Sequence, residues 1–206
     1  MSAPAPDAPH GRRVAARRTP GHRPDRRGPG GLPLLTLLAE DLRTVRRRDP
    51  SRRTTAEALL HAPWHGLVLH RVAHRWYVAG HRVPAAVLTL LGRLLSGMDI
   101  HAGARLGRRV FLDHGFGVVI GETAVVGDDV TIYHHVTLGS RGWWKDGPDG
   151  LRRHPVIGAG ALIGVGASVL GPVTVAAGAH IAAHRLVTED VRPGPERHAG
   201  PEEVAT

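Results

Sequence analysis

The sequence predicts an α+β architecture, an all-α N-terminal domain over residues 32–97 followed by a parallel β-helix over residues 98–192. Three observations carry that prediction. From Leu32 to Ser96 apolar residues recur at helical spacings between short Pro- and Gly-marked breaks. After Gly97 the spacing changes to six, with aliphatic residues at Ile100, Leu106, Leu112 and Val118, then, after a two-residue slip, at Ile120, Val126, Ile132 and Leu138. The rhythm breaks over residues 139–156 and resumes at Ile157, Ile163, Val169, Val175, Ile181 and Val187. Neither a helix nor an alternating strand repeats every six residues, whereas the three-sided coil of a hexapeptide β-helix does. A small residue often follows the aliphatic one, as in Ile120–Gly121 and Ile163–Gly164, which suits a tight corner.

Residues 1–31 form a Pro/Gly/Arg-rich tail that carries five of the nine net positive charges and too little apolar surface to fold, so it is expected to be disordered. The tail has no interleaved aromatic residues, which argues against a nucleic-acid-binding arm. "LPLLTLLAEDLRTVRRR" opens with a first-turn proline and ends in arginines that suit the negative end of a helix dipole. "TTAEALLHA", "WHGLVLHRVAHRWYVAG" and "PAAVLTLLGRLLSG" supply three further helices, the last stopped by Gly97. Residues 139–156 form an extended loop within the β-helix, and residues 193–206 a C-terminal tail.

Composition excludes several classes. No cysteine is present, so there is no disulfide framework, thiolate metal site or cysteine nucleophile. The nearest approach to a membrane span, Pro84–Leu95, is short and contains Arg93, and no apolar signal core opens the chain, so a cytoplasmic location is expected. His70 and His74 have a metal-like spacing but no accompanying carboxylate or third histidine. The pairs His134–His135 and His180/His184 do not fit the three-histidine zinc pattern of hexapeptide carbonic anhydrases, and no metal is expected.

The charged pair Asp113–His114 interrupts the aliphatic rhythm inside "LDHGFGVVIGETA". Together with "RDPS", "DIH", "VTLG" and "RHP", this run resembles bacterial serine O-acetyltransferases of the hexapeptide-repeat acyltransferase superfamily, over about residues 34–192. The resemblance implies a left-handed coil and transfer of acetyl from acetyl-CoA to the L-serine hydroxyl, giving O-acetyl-L-serine for cysteine biosynthesis. It also implies His114 as the base, Asp99 as the carboxylate that orients the imidazole, and His154 as a second active-site histidine. Fifteen residues separate Asp99 from His114, close to one coil, so the two can lie near one another. A hydroxyl nucleophile needs such a base, and a histidine of near-neutral pKa suits the task. Asp49 and Asp113 match the residues that bind the substrate ammonium and Arg153 the one that binds its carboxylate, where a planar guanidinium gives bidentate contact. Gly139, Ser140, Val165, Ala183 and Arg185 fall where the family's coenzyme A runs. A homotrimer or dimer of trimers is implied.

The sequence departs from the family pattern in three places. Ser140 replaces a glycine after "VTLG", where a positive φ would be costly for serine. The loop carries Trp143 and Trp144, and His184–Arg185 stand where small residues are usual. The C-terminus does not end in the isoleucine by which some members dock onto the next pathway enzyme, so that association is not expected. These departures leave two alternatives: the same chemistry on another hydroxy amino acid of specialised metabolism, and an inactive β-helix scaffold.

Overall fold

The computed structural model describes residues 32–142 and 152–193. The N-terminal tail, Trp143, Trp144 and nearly all of the C-terminal tail lie outside the described residues. Four helices come first: α1 (Leu34–Arg48), α2 (Thr55–Leu59), α3 (Ala62–Val78) and α4 (Arg82–Ser96). The second is a five-residue turn of helix, shorter than the sequence pattern suggests. Its start is fixed by a capping box, in which the Thr54 hydroxyl accepts from the Glu57 amide while the Glu57 carboxylate accepts from the Thr54 amide. Gly97 ends α4 in the left-handed conformation with φ 70°, as its position implies.

Thirteen short strands follow: β1 (Asp99–Ile100), β2 (Arg105–Leu106), β3 (Phe111–Asp113), β4 (Val119–Ile120), β5 (Val125–Val126), β6 (Thr131–Tyr133), β7 (Thr137–Gly139), β8 (Val156–Ile157), β9 (Leu162–Ile163), β10 (Ser168–Leu170), β11 (Thr174–Val175), β12 (His180–Ile181) and β13 (Leu186–Val187). They form the three parallel faces of a left-handed β-helix: β1-β4-β7-β10-β13, β2-β5-β8-β11 and β3-β6-β9-β12. The hexapeptide aliphatics stack in register inside the prism, Ile100 on Ile120, Leu138, Val169 and Val187 along the first face. All are buried, and this column with its counterparts on the other faces is the core. Val118 is buried but stands outside the column, because Ile120 takes the place beside Ile100.

Coil length is not constant. Asp99 pairs with Val119, so that turn takes twenty residues, whereas Val119 to Thr137 takes eighteen. The two extra residues lie in the corner after β3, at Asp113–Val118. Thr137 to Ser168 spans thirty-one residues, the excess being the loop after β7.

A buried arginine docks the helices on the prism. Arg71 of α3 donates from Nε and Nη2 to the Asp41 carboxylate of α1 at 3.1 and 3.3 Å. It also donates to the Leu106 and Gly107 carbonyls at 2.7 Å each. With both side chains almost fully buried, losing either partner would strand a charge, at a cost of about 3–5 kcal/mol. His70 is buried behind it, and desolvation holds its imidazole well below the usual value. The His74 ring nitrogen Nδ1 lies 2.8 Å from the Ala102 carbonyl. The pair thus serves packing, and among the described residues no cluster could hold a metal ion.

Candidate active site

The long corner presents His114. The chain folds back on itself there, with Gly115 N–H donating to the Asp113 carbonyl at 2.7 Å and Phe116 N–H to the His114 carbonyl at 2.8 Å. His114, Gly115 and Gly117 all take positive φ, at 58°, 64° and 71°. Glycine does so freely; histidine does so against a steric preference. The result is a His114 side chain that is 78% exposed. Its Nε2 is 3.9 Å from Asp113 Oδ1, and its ring meets the His134 ring edge-on at 5.7 Å. The Nδ1 of His134 is buried with no hydrogen-bond partner.

Asp49, at the C-terminal cap of α1, reaches the same corner from the helical side. The Ser51 amide and hydroxyl donate to its carboxylate at 2.9 and 2.5 Å. Partial burial pushes this carboxyl up, but Ser51, His61 and Arg52 outweigh that and hold it below the usual value. His61 links Asp49 to the prism: Nδ1 is 3.9 Å from Asp49, and Nε2 is 3.4 Å from the Leu112 carbonyl. Sequence reasoning missed His61, which sits in an ordinary helical stretch and is brought to the site only by the turn between α2 and α3.

Arg153 and His154 lie at the next corner, between β4 and β5, on the turn Gly121–Glu122–Thr123. The Arg153 guanidinium donates to Glu122 at 3.2 Å, and the other Glu122 oxygen accepts from the Tyr77 hydroxyl at 2.5 Å. That hydroxyl, reinforced by charge from His101 and Arg153, holds the Glu122 carboxyl below its usual value. The His154 ring packs on Gly121, where any Cβ would fall on the imidazole. Glu122, Thr123 and Tyr77 were not read from the sequence as site residues, since thirty residues and a loop separate the turn from its partners.

The described chain therefore does not gather the sequence-predicted residues at one point. Asp49, Asp113 and His114 share one corner and Arg153 and His154 another, with β4 between them. Asp99 stands on the outer row of the intervening face and pairs with Arg93 at 3.5 Å. Among the described residues the carboxylate within 4 Å of the His114 imidazole is that of Asp113. The coenzyme candidates divide in the same way. Val165 and Ala183 stack below Phe116 and His134 at the His114 corner, with Arg185 exposed beside them. Gly139 and Ser140 lie at the His154 corner, and Ser140 is not among the residues of positive φ, so serine carries no backbone strain there.

No protein-family model matches the chain. Among curated proteins it is 45% identical over 161 residues to a serine acetyltransferase of Mycobacterium tuberculosis, covering 78% of this chain and 68% of that one. It is 42% identical over 158 residues to the serine acetyltransferase of Helicobacter pylori, covering 76% of this chain and 90% of that one. Among solved structures, soybean serine acetyltransferase complexed with serine superposes with a TM-score of 0.72 at 40% identity. The Brucella abortus enzyme in complex with coenzyme A gives 0.71 at 40% identity. The chain covers 64% and 61% of those two structures, somewhat under two thirds of each. Identity of this level over most of its own length places the chain in the serine acetyltransferase family.

Proposed function

We propose that the chain transfers acetyl from acetyl-CoA to the hydroxyl of L-serine. The observation that carries this reading is the lengthened corner that presents an exposed His114 beside Asp113, with Asp49 behind it. His114 takes the serine hydroxyl proton as the oxygen attacks the thioester carbon, and the thiol of coenzyme A leaves. Asp49 and Asp113 attract the ammonium of the zwitterion, Arg153 and His154 its carboxylate, and Asp99 adds negative charge to the face between them. Gly139, Ser140, Val165, Ala183 and Arg185 form the walls along which acetyl-CoA, the second substrate, lies. Since the two corners are separate within one chain, the working unit is at least a homotrimer in which neighbouring prisms bring them together. The reaction belongs to the cytoplasm, where acetyl-CoA and serine are both available.

Replacement of the usual glycine and small residues by Ser140 and His184–Arg185 favours one variant reading, a different hydroxy amino acid as acceptor. Product formation from acetyl-CoA with serine, homoserine and threonine separates the two. Serine is expected to be turned over with the highest kcat/KM; absence of serine turnover beside good turnover of another acceptor overturns the first reading.

A further inference from the structure

The corner that holds Arg153 and His154 has a hydrogen-bond arrangement that determines more than position. The Thr123 hydroxyl oxygen accepts from two backbone amides, Arg153 N–H at 3.0 Å and His154 N–H at 3.1 Å. Those two bonds occupy both of its lone pairs. It also lies 2.8 Å from His154 Nδ1, and with its lone pairs taken it can only donate there. The Thr123 backbone N–H points at the same nitrogen from 3.2 Å. Two donors thus converge on Nδ1, which must be unprotonated, and the ring proton of the neutral imidazole belongs on Nε2. The neighbouring residue performs the matching task for Arg153. Glu122 holds the guanidinium at 3.2 Å and is itself held by Tyr77 of α3, whose ring carries Arg82 stacked at 4.0 Å.

We infer that Thr123 and Glu122 are positioning residues that present His154, locked as its Nε2–H tautomer, and Arg153 as paired N–H donors to the carboxylate of the amino-acid acceptor. His154 on this account is a donor and not a second base, so the single base of the site is His114. The inference rests on the acceptor reading above only for the identity of the carboxylate; the tautomer rests on the hydrogen bonds alone. It also explains Gly121, because a side chain there would displace the imidazole from Thr123.

The test combines kinetics with nitrogen NMR of the histidine rings in the full chain, His154 being identified by the signals missing from His154→Asn. In the wild type His154 should show a protonated Nε2 and an unprotonated Nδ1. Thr123→Val removes the hydroxyl with little change of shape. It should raise the KM for serine about tenfold or more, the scale of a lost hydrogen bond to a charged group, and leave the KM for acetyl-CoA nearly unchanged. Thr123→Ser restores the hydroxyl and should restore both the KM and the ring signals. Glu122→Gln keeps an acceptor but loses the charge, and should raise the KM for serine without altering the His154 tautomer. An Nδ1-protonated His154 in the wild type overturns the inference, as does a folded Thr123→Val protein with unchanged serine KM. If Thr123→Val fails to fold, the wild-type ring spectrum and the Glu122→Gln kinetics still decide. Wild-type protein that turns over no serine but shows the Nε2–H ring defeats the acceptor reading and leaves the tautomer lock standing.

Discussion

His114 occupies a backbone conformation that opposes its side chain, and the cost, about 1 kcal/mol or somewhat more, is borne by the rigid coils above and below the corner. The benefit is exposure: among the described residues the imidazole's ion-pair and ring contacts are with the Asp113 carboxylate and the edge of His134, so little in the fold depends on it. His114→Ala should therefore leave thermal unfolding unchanged or slightly improved, and lower kcat by about 10²–10⁴-fold, the usual share of a general base. Near-wild-type turnover by the folded variant would show that the proton goes elsewhere. At this scale the sequence was partly legible. A charged pair breaking an aliphatic rhythm marks His114, and the arginine–histidine pair marks the second corner. Where Asp99 stands relative to His114 was less legible, because two extra residues enter the coil between them. Thr123 and Glu122 were not legible, since they look like ordinary polar turn residues until the coils are stacked.

The six-residue period fixes which residue enters the core but says little about the corners, where two separate requirements act. Gly127, Gly158 and Gly164, each just after a core aliphatic, have no left-handed φ; a Cβ on any of them would strike the backbone of the next coil, at Ala159, Ala177 and Ala183 respectively. The small residue is therefore demanded by coil-to-coil approach, not by turn conformation. Positive φ falls elsewhere in the turn, at Gly117, His135, Gly166 and His184, and the side chains of His135 and His184 are accommodated because they lean over Gly117 and Gly166 of the preceding coils. The two classes should respond differently to substitution. Gly158→Ala is expected to cost about 1–3 kcal/mol by forcing coils apart, read as a fall in the unfolding midpoint. Gly160→Asn, at φ 69° with open space around it, should cost well under about 1 kcal/mol, since asparagine accepts that conformation. Equal losses at the two sites would contradict the division. The helical elements were less legible than the coil. Their apolar spacing marks four helices, but α2 shrinks to a single capped turn, and the residue that docks the bundle, Arg71, was not singled out in the sequence.

One chain places the His114 corner and the Arg153–His154 corner on opposite sides of the face formed by β1, β4, β7, β10 and β13. The strand β4 (Val119–Ile120) and its flanking residues lie between the corners, and at about 3.3 Å per strand residue that separation exceeds any single hydrogen bond. A substrate with its ammonium at Asp49 and Asp113 cannot also reach Arg153 of the same prism. In the proposed trimer, prisms packed side by side around an axis would set one chain's first corner against its neighbour's second, a heterologous contact that closes into a ring. This makes a prediction that no property of the isolated chain supplies. His114→Ala and His154→Ala proteins, each nearly inactive, are mixed, unfolded or dissociated, and reassembled. Where a site takes His114 from one chain and His154 from the next, random mixing leaves about one quarter of sites with both histidines intact, and activity should return towards that fraction of wild type. If each chain carried a complete site, every site would lack one histidine whatever the mixture, and no activity would return. Exchange is monitored independently by tagging one variant and recovering mixed assemblies, so inactivity of proven hetero-oligomers would refute sharing, as would full activity from a monomer.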